Sequence, residues 1–166
     1  LLFIPSYLNG NDGVFNLPYY QLLSGLDLSV FPSYYEPWGY TPLESLAFKV
    51  PTVTTTLAGF GLWVNEYYTK DHPGISVLER GESNYSEVVD GVCEKIVEIS
   101  SLSEKEQKKY RDNAKSVSEI ALWKNHLKFY KEVYSLAIER VIERKGKFPE
   151  KNNIKNMTYK KIDVGT

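Results

Sequence analysis

Short apolar runs alternate with helical patterns over the first eighty residues, and this alternation is what most constrains the fold. Leu1 to Ile4, Leu28 to Phe31, Thr52 to Thr55 and Ile75 to Leu78 are strand candidates, rich in β-branched and aromatic side chains. Helical patterns lie between them at Tyr19 to Leu23, Pro42 to Phe48 and Gly61 to Tyr68. Parallel neighbours need a crossover, and helices of this length supply one. The class expected is therefore α/β with a parallel sheet. Asn9-Gly-Asn-Asp-Gly13 carries turn chemistry. Leu1 to Ile4 reads as a buried strand with nothing ahead of it to start a domain, so the chain reads as part of something longer.

After Arg80 the strand-like runs stop. Ser83 to Ile99 places Val88, Val92, Ile96 and Ile99 on one stripe, and Ser103-Glu-Lys-Glu106 has the spacing of a capping box that starts a second helix. In a third, Trp123, Leu127, Tyr130, Tyr134, Ile138 and Val141 recur at helical spacing, predicting a long amphipathic helix that packs on a larger body. From Lys151 the chain is polar and aperiodic. The organisation expected is one lobe over 1–148 and a flexible polar tail over 149–166, in which Asn156-Met-Thr158 matches a glycosylation acceptor at chance level.

Composition narrows the partners. Twenty basic against twenty-one acidic residues leave a net charge of −1, so no electrostatic footprint for nucleic acid or an anionic membrane is written here. One cysteine, Cys93, excludes an internal disulfide and suits a reducing compartment. With no apolar run long enough to span a bilayer and no leader pattern, cytoplasm is the expected location. Cys93 reads as a small buried hydrophobe, and Trp123, His72 and His126 as core or surface residues.

The chemistry concentrates in Phe31-Pro-Ser-Tyr-Tyr-Glu-Pro-Trp-Gly-Tyr-Thr-Pro-Leu-Glu44, a strand-to-helix junction. In open α/β sheets such junctions lie at the carboxyl ends of strands, where ligands bind and helix amides can receive an anion. Thr41-Pro-Leu-Glu44 predicts Thr41 as N-cap, Pro42 as first helical residue and Glu44 reaching back to the cap. Glu36 has no such structural role. As an acceptor-only carboxylate it suits vicinal sugar hydroxyls.

Pro32 to Pro42, followed by Glu44, Pro51 and Leu57-Ala-Gly-Phe-Gly61, resembles the animal and fungal glycogen synthases, retaining glucosyltransferases of the two-lobed glycosyltransferase-B fold. The resemblance runs from Leu1 to about Tyr130 and includes Tyr19, Gly25, Gly74-Ile75, Arg80 and Leu122-Trp-Lys124. It implies a Rossmann-like C-terminal lobe that passes glucose from UDP-glucose to the 4-hydroxyl of an α-1,4-glucan. By the same resemblance Glu36 is the catalytic carboxylate beside the donor glucose, and Glu44 binds the ribose hydroxyls. Trp38, Gly39, Tyr40 and Thr41 hold the glucose and diphosphate through backbone groups, and Tyr19 stacks on the base. The partners implied are a nucleotide sugar, an α-glucan acceptor and an N-terminal lobe of the same chain, without which this piece is inactive; a homo-oligomer is left open. No Asp-x-Asp motif is present, so no metal or other cofactor is expected.

The sequence departs from the family in two places. Thr56 and Ala58 stand where the animal proteins carry Asn and Ser, and Gly59 and Gly61 read as a tight turn. The arginine-rich helix that senses glucose 6-phosphate is represented by Lys108, Lys109, Arg111 and Lys115, with a single arginine, and reads as a solvated charged face. Two alternatives remain: a transferase of the same fold with another donor, such as ADP-glucose, or another acceptor, and a non-catalytic sugar-nucleotide-binding module.

Overall fold

A computed structural model describes residues 2–68 and 72–145, with backbone alone at 142 and 145. The expected tail and the Asn156 triplet lie outside the described residues. Three strands, β1 (Ser29–Val30), β2 (Thr52–Thr55) and β3 (Ile75–Leu78), form a parallel sheet in the order β1-β2-β3. Helices α2 (Tyr40–Ala47) and α3 (Gly59–Tyr67) are the crossovers, and α1 (Tyr19–Leu23) precedes the sheet. This is the Rossmann-like α/β arrangement that the alternation of patterns requires. All four residues of β2 are buried, as befits a central strand covered on both faces, which is why it is a run of threonine and valine. The hydroxyls of Thr52 and Thr55 are satisfied by carbonyls, donating to Val50 O (2.9 Å) and Ser33 O (2.8 Å).

Leu46 of α2, Phe60 and Val64 of α3 and Ile75 of β3 meet Ala114 and Val117 of α5 (Glu104–Ile120) in the core. Phe60 and Leu46 are fully buried, each contributing roughly 1.5–3 kcal/mol relative to exposure. The capping box expected at Ser103 is present: its backbone N–H donates to Glu106 Oε2 at 2.9 Å. Gly74, at φ 104°, leads into β3 where a Cβ would come within 2.6 Å of Tyr110 O and Ala114 N, so α5 packs directly on that turn. Helix α4 (Tyr85–Ser100) buries Val88 and Ile99, while Ile96 of the expected stripe is 46 % exposed.

Two expectations are corrected here. Leu2 to Ile4 form no strand, and Leu2 and Phe3 are 60 % and 81 % exposed. Apolar character cannot supply a pairing strand, and none among the described residues lies beside this segment. Cys93 is exposed, because it falls off the face of α4 that carries Val88 and Ile99.

The chain divides after Leu122 into two units. In the second, α6 (Trp123–Lys145) carries the long pattern expected, and its stripe residues are between 45 % and 62 % exposed. Successive aromatics touch along it, Trp123 with Tyr130 (ring centroids 5.6 Å) and Tyr130 with Tyr134 (6.4 Å). Among the described residues no helix is long and apolar enough to cross a membrane.

Candidate functional site

The segment after β1 is fastened by its backbone. Phe31 N–H donates to Val53 O (2.8 Å), and Glu36 N–H donates to Leu57 O (3.1 Å). Gly59 N–H and Phe60 N–H donate in return to Glu36 O (3.0 Å) and Trp38 O (2.6 Å). Glu36 thus pairs with Ala58 as a parallel bridge beyond the end of β2, and the next two residues fold over the first turn of α3. A Cβ on Gly59 would sit 2.2 Å from Pro37 O, and one on Gly61 2.3 Å from Thr55 O. Both glycines open α3 rather than forming a separate tight turn, and they are glycine because backbone passes directly against them.

Gly39 then turns the chain into α2. It is the N-cap, with φ 105° and ψ 74°, and a Cβ there would lie 3.3 Å from Glu36 Cγ and 3.2 Å from Pro42 Cγ. The Glu36 side chain therefore lies against the start of α2. Among the described residues the N–H groups of Gly39, Tyr40 and Thr41 donate to no protein acceptor, and the helix start is open to an anion. Glu36 is partly buried as a residue, and its carboxylate makes no hydrogen bond or ion pair among the described residues.

The expected cap at Thr41 is corrected. Glycine's left-handed conformation brings the chain into helical geometry at Tyr40, so Thr41 and Pro42 lie inside the first turn and no side chain caps the helix. Freed of that role, Glu44 accepts a hydrogen bond at Oε1 from the Tyr20 hydroxyl, at 3.1 Å. Tyr20 stacks on Phe48 (5.3 Å, 7°) and touches Tyr19 (5.3 Å). Burial, then the charge of Glu44, pushes the Tyr19 phenol up; for Tyr20 the hydrogen bond to Glu44 is the larger cause. Tyr19 and Glu44, the residues expected at base and ribose, thus share one electrostatic neighbourhood.

Trp38 turns its ring into the core against Phe60 (5.7 Å) and Trp63 (6.0 Å), anchoring the loop whose backbone faces the junction. Tyr40 is 60 % exposed. Tyr20 escaped the sequence reading because nothing marks one tyrosine of a pair as the partner of a glutamate twenty-four residues on.

The basic residues of α5 do not form a solvated face throughout. Arg111 donates to Asp27 Oδ1 (2.8 Å) and Leu26 O (3.1 Å), and Lys115 Nζ donates to Ala47 O (3.3 Å), the last residue of α2. Carbonyls exposed at a helix end attract such cations. A cavity of about 540 Å³ lies nearby, lined by Asp27, Leu28, Pro51, Ile99, Tyr110 and Arg111 among others. Leu28 and Pro51 immediately precede β1 and β2, so this cavity is at the opposite end of the strands from Glu36. The chemistry-bearing junction is the open carboxyl edge instead.

A parallel α/β unit with free amides at a helix start and an acidic side chain laid against it is the class of protein that fold and site define. The family model for glycogen synthase matches residues 1–164. The chain is 34 % identical over 143 residues to "Glycogen [starch] synthase" of Caenorhabditis elegans, covering 85 % of this chain and 21 % of that protein. It is 31 % identical to "Glycogen [starch] synthase isoform 1" of Saccharomyces cerevisiae, covering 84 % and 20 %, and 28 % identical to the liver protein of Mus musculus, covering 89 % and 20 %. The chain belongs to the glycogen synthase family. It spans about a fifth of the length of these relatives.

Proposed function

We propose that this chain is the C-terminal part of the donor site of a cytoplasmic glycogen synthase, a glycosyltransferase that moves glucose from UDP-glucose to the 4-hydroxyl of an α-1,4-glucan with retention. The observation that carries the reading is the Glu36 side chain lying against the Gly39 turn of α2, where unpartnered amides begin. In this reading Tyr19 stacks on the base and Glu44 binds the ribose hydroxyls. The amides of Gly39, Tyr40 and Thr41 hold the diphosphate, with Trp38 fixing the loop. As the bond between glucose and phosphate breaks, negative charge grows on the leaving diphosphate. Preorganised N–H donors stabilise that charge with little reorganisation. The Glu36 carboxylate lies beside the sugar, where positive charge develops at the anomeric carbon. The rest of the full-length protein supplies the acceptor site and the facing wall, and this piece alone is inactive. The leaving group is met by amides, so we assign no metal to the step.

The test is polymer synthesis by the full-length protein, given glycogen primer and labelled UDP-glucose or ADP-glucose, with and without a chelator. Label from UDP-glucose, unchanged by the chelator, is expected. Label from ADP-glucose alone would reassign the donor, and no label from either would overturn the transferase reading.

A further inference from the structure

Arg80, two residues beyond β3, is 6 % exposed, and no carboxylate pairs with it among the described residues. Its Nε is buried without a hydrogen-bond partner. Burying an unpaired guanidinium is costly, and an apolar side chain would fill the same space at lower cost. What the guanidinium does contact is the approach to Glu36. Nη1 donates to Pro32 O at 2.7 Å, and the guanidinium carbon sits 3.5 Å from the centre of the Tyr34 ring. Arg80 is itself held from behind, its backbone N–H donating to Thr56 Oγ1 at 2.9 Å. Beside this clasp, Thr55 Oγ1 donates to Ser33 O, and two residues past Tyr34 the Glu36 backbone pairs across to Leu57 and Gly59.

Besides the Thr55 hydroxyl on Ser33 O, the segment from Pro32 to Glu36 therefore has two further fasteners. One is the main-chain bridge at Glu36, which fixes the Cα. The other is Arg80, which fixes the direction from which the chain arrives. Lysine is a poor replacement, because its ammonium is a strongly hydrated point charge without the planar, multi-donor fork that lets a guanidinium meet a ring and a carbonyl together. Tyr34 is 65 % exposed, so its ring contributes little to the core and rests instead on Arg80.

We infer that Arg80 is a positioning residue for Glu36: by clasping Pro32 and Tyr34 it sets the Glu36 side chain against the start of α2. The inference rests on the donor-site reading above. The experiment uses the full-length protein with UDP-glucose and glycogen, comparing Arg80→Met, Arg80→Lys, Tyr34→Ala, Glu36→Gln and Glu36→Asp, and the pair Arg80→Met with Glu36→Asp. Both Arg80 variants are expected to lower kcat on the order of 10- to 100-fold, the effect of a small misplacement at a reacting centre. The KM for the donor should shift by less than about threefold. Tyr34→Ala should act in the same direction, more weakly, and it carries the test if the Arg80 variants do not fold. In the pair, the loss should fall well short of the product of the single losses, because both changes misplace one carboxylate. Unchanged kcat in a folded Arg80→Met or in Tyr34→Ala, or fully multiplicative losses in the pair, would overturn the inference. Full activity in Glu36→Gln would overturn the donor-site reading itself, whereas an inactive Glu36→Gln beside a fully active Arg80→Met removes only the role of Arg80.

Discussion

The Tyr20 hydroxyl donates to Glu44 Oε1 at 3.1 Å, joining α1 to α2 across the edge of the candidate site. This bond holds the carboxylate beside Tyr19 and leaves its second oxygen available to a ligand hydroxyl. Tyr20→Phe removes the donor and keeps the ring on Phe48. We expect the donor KM to rise about three- to tenfold with a smaller change in kcat, the loss of one charge-assisted hydrogen bond. Because Tyr20 is 49 % exposed, stability should change little. Steady-state kinetics and urea denaturation on the full-length protein check both. A raised KM absent from the variant would show that Glu44 needs no orienting partner.

Gly39 is constrained twice, by a φ of 105° and by the approach of Glu36 Cγ and Pro42 Cγ to the position a Cβ would take. Gly39→Ala should cost roughly 1–3 kcal/mol, since alanine is strained in that conformation. It should also displace the Glu36 side chain, so activity should fall by more than the lost folded fraction accounts for. Denaturation curves together with kcat for the folded protein separate the two effects.

Glu98 ties α4 to α5. Lys95 Nζ donates to its Oε2 at 2.8 Å and the Tyr110 hydroxyl to its Oε1 at 2.7 Å. Lys95 first, then Tyr110, holds the carboxyl below its ordinary 4.5. A depressed folded value means that the unfolded chain takes up the proton first. The stabilisation is complete above 4.5 and is lost as pH falls from there through the folded value. Glu98→Gln should cost about 0.5–1 kcal/mol at neutral pH, the lower end applying because the side chain is partly exposed. The gap between parent and variant should close in acid, as urea melts at neutral and acid pH will report. A gap independent of pH would contradict the assignment.

The parts of the fold legible in the sequence are those set by local pattern. Thr52 to Thr55, Ile75 to Leu78 and Tyr19 to Leu23 have the bounds expected, because β-branched runs and helical spacing act within a few residues. Apart from Cys93, which lies off the buried face of its own helix, the failures involve a distant partner or a competing local rule. Leu2 to Ile4 have strand character but no ladder to join among the described residues. At α2, the Thr-Pro-Leu-Glu signature competed with a glycine two residues upstream, and the glycine's left-handed turn won. Arg111 and Lys115 look like surface charge until α2 and the turn after α1 are folded beneath them. At the candidate site, Glu36 stood out by having no local role. The attachments that position it, Leu57 and Gly59 by backbone and Arg80 through Pro32 and Tyr34, come from twenty-one to forty-four residues away.

The most direct test of the central claim is the turnover of Glu36→Gln in the full-length protein, measured as glucose incorporated into glycogen from UDP-glucose, beside its urea denaturation. The side chain makes no hydrogen bond or ion pair among the described residues, so the change should leave stability within about 0.5 kcal/mol of the parent. Turnover should fall by on the order of 100-fold or more, the scale of removing a charge that acts on the transition state. A variant that keeps its turnover, or one that loses stability in proportion to activity, would mean that Glu36 supports the fold rather than the chemistry.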